Sequence, residues 1–391
     1  VYAALQIPVG LLTDRIGART MIVAGAAFMA GGQALLAFAP ALPLVFAARI
    51  LVGVGDAMTF VSVLRLLPNW FGGRILPQLA QWVGMLGQLG QILATVPFAL
   101  LLHSAGWQPS LLVASGFSLL GGAVAVALVR AGEPPAATSP IPAGGPVRHL
   151  VTAARRPGTQ LGFWAHLLGG TAPTVMALMW GYPFLTAGLG LDPALAAGIF
   201  SLMVAGTLAA GPVLGYLTAR FPLRRSNLVL TVVTLIVGVW LAVILWPGSP
   251  PLWLVGLLYF TIGMGGPGSL IGLDVARTFN PSHALGAASG FVNVGGFLGG
   301  FISVFGVGLV LDLAHTANLA GGGSPALYTL ESFRIAFLVP VIVIGLGIVG
   351  LLVARRRTRR RMFELEGIEI APLWVALFRS RRPERRTAAG E

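Results

Sequence analysis

Residues 10–19 read Gly-Leu-Leu-Thr-Asp-Arg-Ile-Gly-Ala-Arg, and residues 215–224 read Gly-Tyr-Leu-Thr-Ala-Arg-Phe-Pro-Leu-Arg. Gly10, Leu12, Thr13, Arg15 and Arg19 recur as Gly215, Leu217, Thr218, Arg220 and Arg224, at a constant separation of 205 residues. Each copy follows an apolar run and enters a short basic loop. A duplicated run-and-loop unit of this kind predicts two related halves of membrane-crossing helices, the parallel-repeat plan of one class of secondary transporter.

Composition agrees with that plan. The chain has 391 residues, 56% of them hydrophobic and 9% charged, with a mean hydropathy of +0.87. A soluble globular domain carries about a quarter charged residues, so a water-soluble enzyme or a secreted scaffold is excluded. The 54 glycines and 27 prolines lie mostly inside apolar runs, where membrane helices tolerate both and small residues permit close helix contact. With no cysteine, disulfides and thiol catalysis are excluded. No His-x-x-x-His spacing or acidic cluster marks a metal or cofactor site, so none is expected.

A span needs about 20 apolar residues. Such runs fall at 21–39, 44–67, 77–102, 110–129, 161–184, 194–218, 227–246, 252–275, 284–311 and 332–354, with a remnant at 1–12. This gives an all-α integral membrane protein of about eleven spans. The chain begins at Val1 within an apolar run. The first half is one span and part of another short of six, which leads to the expectation of two six-helix bundles in an intact protein. The expected division is an N-terminal bundle at 1–130, a flexible Pro/Gly/Ala/Ser-rich linker at 131–160, a C-terminal bundle at 161–354 and a basic tail at 355–391.

The net charge of +13 comes from 25 basic residues, all arginine. If the 13–20 loop is cytoplasmic and the sides alternate, 23 of the 25 arginines fall on the cytoplasmic side. That is the positive-inside pattern. The basic excess is therefore read as an orientation signal and not as a nucleic-acid partner. It predicts a multi-pass protein of a bacterial plasma membrane, with linker and C-terminus in the cytoplasm and the lipid bilayer as its surroundings. A monomer is expected.

The segment Gly10–Arg19 resembles the G-x-L-x-D-R-x-G-x-R loop signature of the major facilitator superfamily, matching at Gly10, Leu12, Asp14, Arg15, Gly17 and Arg19. The copy at 215–224 departs from it at Ala219 and Pro222. Arg49, Gly53 and Gly55 are similar to the family's R-x-x-x-G-x-G pattern in the fourth span. The resemblance implies the major facilitator fold, alternating access to a small-molecule substrate, and a conformational latch formed by Gly10, Asp14, Arg15, Gly17 and Arg19. A plain solvated turn is the structural alternative for that loop.

Charged side chains deep in a span are costly and point to function. Arg49 and Asp56 lie seven residues apart, hence on one helical face. They form a candidate proton site, with Arg49 tuning Asp56 or meeting an anionic substrate; a structural pair is the alternative. Gln81, Gly84, Gln88, Gln91 and Thr95 recur at spacings of three and four, one polar face on the fifth span. This face lines a pathway or serves interhelical hydrogen bonds. The resemblance puts spans one, four, seven and ten around the cavity, which adds His166 and Tyr259 as pathway candidates. Trp180 and Tyr182 read as interface-belt residues, Asp274 and Arg277 as a local ion pair. Asn293, Gly295, Gly296, Gly299 and Gly300 read as close contacts for the fifth span. Together these residues describe a non-enzymatic secondary transporter, coupled to protons, for uptake or exchange of a metabolite or organic anion. A drug or metabolite efflux antiporter is the alternative, and a non-transporting solute sensor the alternative of another class.

Overall fold

The computed structural model describes residues 2–73, 75–129, 145–281, 284–320 and 328–367. Among these every regular element is helical: α1 Tyr2–Ile16, α2 Ala18–Ala37, α3 Leu42–Leu66, α4 Leu76–Ala105, α5 Trp107–Leu128, α6 Gly145–Ala154, α7 Pro157–Val175, α8 Gly181–Pro183, α9 Pro193–Arg220, α10 Arg225–Ile244, α11 Leu252–Gly263, α12 Gly265–Phe279, α13 Leu285–Ala320, α14 Leu330–Ala336 and α15 Leu338–Glu366. Lipid offers no partner for backbone N–H and C=O groups, so each span must satisfy them internally. Eight helical stretches among the described residues are long and apolar enough to cross a bilayer. At the places of the other three expected spans stand α1 with 15 residues, α4 with 30 and α7 with 19.

Helix boundaries follow local chemistry. Gly17 takes φ +86° between α1 and α2, and Gly106 takes +81° between α4 and α5. Both conformations suit glycine. Asp192 caps α9 by accepting from the Ala194 N–H at 2.9 Å, with Pro193 at the first helical position. Beyond Val175 the path of α7 loosens into π-helical turns at Met176–Trp180 and Phe184–Gly188, flanking α8. Pro173 and Pro183 each withdraw a backbone donor there.

Two seams carry the relationship between repeats into three dimensions. At the first, α1 lies on α13: Gly10 sits against the Gly286 carbonyl, and Gly290 against the Gln6 carbonyl. At the second, α9 lies on α4: Gly215 sits against Gln78 and Gln81, and Gly211 against Met85. The residues correspond at the sequence offset of 205: 6 with 211, 10 with 215, 81 with 286, 85 with 290.

At the end that carries the repeated loops, Leu64 of α3, Ala80 of α4, Ala153 of α6, Leu273 of α12 and Ala287 of α13 form one buried apolar cluster. The expected flexible linker at 131–160 is therefore corrected in its latter part. Residues 145–154 form α6, whose Leu150 and Ala153 join this cluster; residues 130–144 lie outside the described ones. The expected tail from 355 is corrected as well. Helix α15 runs unbroken through Arg355–Arg361 to Glu366, with Thr358 and Met362 buried on its inner face. The apolar segment at 370–378 lies outside the described residues.

Because a Cβ at Gly10 would meet a backbone carbonyl while one at Gly215 would meet Gln78 Cα at 3.1 Å and the flexible Gln81 side chain at 3.2 Å, Gly10→Ala is expected to be the more damaging change. Overpacking costs about 1–3 kcal/mol. Thermal unfolding in detergent should show a lower Tm for Gly10→Ala than for Gly215→Ala; the reverse order would contradict the assigned seam geometry.

Candidate functional site

A cavity of about 520 Å³ opens between α3, α4, α7, α9, α12 and α13. Asp56 and Phe60 line it from α3, Gln81, Gly84 and Met85 from α4, and His166, Gly170 and Thr174 from α7. Thr207 lines it from α9, Pro267 and Ser269 from α12, and Asn293 and Phe297 from α13. Helix breaks and small residues make room for it. The α11–α12 junction at Met264 interrupts one span. Gly169 packs on Ser269 and Gly265 on Gly169, drawing α12 hard against α7.

The structure brings together two of the candidate titratable residues. Asp56 is open to the cavity and makes no hydrogen bond or ion pair to another described residue. His166 is buried and held at both ring nitrogens, Nδ1 to the Ser269 carbonyl at 2.9 Å and Nε2 to Asn293 Oδ1 at 2.8 Å. Asn293 Nδ2 donates to Gln6 Oε1 at 2.5 Å. Gln81, part of the polar face on α4, donates to the Pro267 carbonyl at 2.7 Å, and its Oε1 has no partner among the described residues.

Other candidates lie elsewhere. Arg49 is exposed and does not line the cavity; seven residues of helix put it about 10 Å along the axis from Asp56. The expected Arg49–Asp56 partnership is not formed. Tyr259 is fully buried in the α7–α11 core, where its hydroxyl donates to the Gly181 carbonyl at 2.5 Å. Helix α4 places positions 88 and 91 on its length, but the side chains of Gln88 and Gln91 lie outside the described ones. In the repeated loop, Thr13 meets Ser62 at 3.2 Å, and Arg19 donates to the Val126 carbonyl at the end of α5 at 2.6 Å. Arg15 is exposed, and the Asp14 side chain lies outside the described ones.

Two structural expectations change, and a third gains a partner. Trp180 is not a belt residue: it is buried and donates to the Val304 carbonyl at 2.8 Å. The glycines of α13 pack closely, but on α7 and not on the fifth span: Gly295 on Phe163, Gly296 on His166, Gly299 on Thr171 and Gly300 on Thr174. The Asp274–Arg277 ion pair forms at 2.9 Å. It is joined by Arg225, which donates to the Asp274 carbonyl at 3.0 Å and to Thr278 Oγ1 at 2.5 Å. Arg225 was invisible as a partner because the contact joins α10 to α12 across 49 residues of sequence.

The sequence matches the Major Facilitator Superfamily over residues 1–304. The chain belongs to that family. The crystal structure of a single-residue variant of the E. coli fucose:proton symporter FucP is similar, with a TM-score of 0.60 at 17% identity. That similarity covers 88% of this chain and 87% of the symporter, and speaks for the fold. The multidrug efflux pump LfrA of Mycolicibacterium smegmatis is 45% identical over 71 residues, which is 18% of this chain and 14% of that pump's length. This major facilitator protein is thus a multi-pass membrane protein.

Tyr259→Phe removes a hydrogen bond worth about 0.6 kcal/mol in a membrane bundle without altering the cavity wall of this major facilitator protein. Thermal unfolding should shift slightly while substrate affinity stays at the wild-type value. A marked loss of affinity would return Tyr259 to the pathway.

Proposed function

We propose that the protein exchanges protons for a monovalent organic cation at Asp56. The observation that carries this reading is the charge inventory of the cavity. Among the described residues it holds one carboxylate, and no arginine lines it. An unpaired charge in a low-dielectric cavity is costly, so the Asp56 carboxylate is neutralised by whichever positive partner reaches it. A proton and a cationic substrate compete for that one group. Alternation between them is an exchange mechanism. Phe60, Phe297 and Met85 supply apolar and aromatic surface for a cation's hydrocarbon body. An organic anion, the class suggested by Arg49 on the sequence alone, has no matching guanidinium among the described lining residues.

Alternating access requires the two helix groups to rock about the cavity. The division at the 131–160 segment, the bacterial plasma-membrane location and a cytoplasmic placing of the loop-bearing end belong to this reading. The apolar cluster at that end packs α3 and α4 against α6, α12 and α13. The 10–19 loop acts as the latch of this end, with Arg19 tying α2 to the end of α5. Asp14, Arg15 and Gly17 complete it at the α1–α2 turn.

Purified protein in liposomes should move a permeant organic cation against an imposed pH gradient. Asp56→Asn should lower that flux by at least about tenfold, a loss of 1.4 kcal/mol or more, while Asp56→Glu keeps part of it. Full coupling in Asp56→Asn, or transport of anions and neutral solutes but no cation, would overturn the reading. Asp14→Asn should slow turnover while equilibrium substrate binding is retained; wild-type turnover would remove the latch.

A further inference from the structure

We propose that His166 is a second proton-binding site, and that its proton is read across the α1–α13 seam by the side-chain amides of Asn293 and Gln6. Four elements contribute to one hydrogen-bonded line: the Ser269 carbonyl on α12, His166 on α7, Asn293 on α13 and Gln6 on α1. His166, Asn293 and Gln6 are all buried, and His166 and Asn293 also face the cavity.

The donor and acceptor rules fix what this line does. A carbonyl only accepts, so His166 Nδ1 carries a hydrogen in every state. The remaining nitrogen then decides the polarity of everything beyond it. With a proton on Nε2, the imidazolium donates to Asn293 Oδ1, and Asn293 Nδ2 donates to Gln6 Oε1, the arrangement seen here. Without that proton Nε2 is an acceptor. Asn293 must then turn its amide to donate, which leaves Oδ1 to accept from a turned Gln6. Each state gives both ring nitrogens of His166 and the facing Asn293 amide a partner of the right polarity. The two states differ in strength, because the imidazolium bond is charge-assisted. A proton on His166 therefore holds α1 more firmly on α13, at the seam where Gly290 lies against Gln6.

The surroundings leave this titration to His166. Among the described residues the cavity lining holds one other acid or base, Asp56 on α3. On α12, Asp274 is engaged by Arg277 and carries Arg225 of α10 on its carbonyl. Helix α15 meets α7 through Gly347 and Leu168, eight residues or about 12 Å short of Arg355. On α1, Asp14 lies eight residues from Gln6, also about 12 Å, and on α13, Asp312 lies about 28 Å from Asn293. A proton at His166 adds positive charge to the cavity that a cation would otherwise enter. The site does not depend on the substrate being a cation.

Two measurements test it. In 15N-histidine NMR of the natural chain in detergent, with His166→Asn identifying the resonance, His166 should keep Nδ1–H throughout. It should gain Nε2–H between about pH 8 and pH 5. An unprotonated Nδ1, or no second proton by pH 5, overturns the proposal. The chain has no cysteine, so an Ile7→Cys/Val294→Cys pair, at two residues of α1 and α13 that line one crevice, reports seam closure by cross-linking. Relative to the same pair in His166→Gln, its yield at low pH should be about fivefold higher. Asp56→Asn should leave that response intact. A response that survives in His166→Gln, or that disappears in Asp56→Asn, overturns it, whatever the outcome for cation exchange.

Discussion

The structure depends on how closely two helix backbones approach at the α1–α13 seam. Gly10 against the Gly286 carbonyl and Gly290 against the Gln6 carbonyl leave no room for a Cβ on the glycine side. In lipid there is no hydrophobic drive to bring helices together, so contact between backbones and buried polar bonds have to do it. Close approach then sets everything nearby. It brings Gln6 within reach of Asn293, and Asn293 within reach of His166. The second close approach, α7 on α12 through Gly169, Gly265 and Gly272, completes the line at the Ser269 carbonyl. Polar chemistry at the cavity wall is thus a consequence of glycine placement in four helices.

Much of this was legible in the sequence, and the reason is physical. Lipid forces an apolar run for each span and an arginine bias for each cytoplasmic loop, so span positions and the repeat could be read from single residues. The Asp274–Arg277 pair followed from local spacing. Asp56 and His166 were flagged because a titratable group in a span is rare and expensive. The partners were not legible. His166 finds Asn293 across 127 residues and Gln6 finds it across 287, and no periodicity encodes such a meeting. Trp180 failed for a related reason: an indole near a span end suits the bilayer interface, yet the Val304 carbonyl of α13 offered its N–H a partner inside. The α13 glycines were recognised as contacts, but their partner was misjudged because composition does not say which neighbour a small face meets. The segment 145–154 read as linker because proline and glycine precede it, while Leu150 and Ala153 needed the apolar cluster to give them a place.

The duplicated scaffold has not kept duplicated chemistry. At the offset of 205, Gly286 of one seam corresponds to Gln81 of the other. Where Gly286 lets two backbones touch, Gln81 inserts a side chain against Gly215 and continues past it to the Pro267 carbonyl at the cavity. One seam is therefore closed by backbone contact. The other is padded by an amide side chain. Position 293 corresponds at the same offset to position 88, and both carry amides. Glycine and glutamine at equivalent places give the two seams different contacts, backbone on backbone at one and side chain on glycine at the other. The cavity with Asp56 and His166 is lined from both seams, by α13 of one and by α4 and α9 of the other.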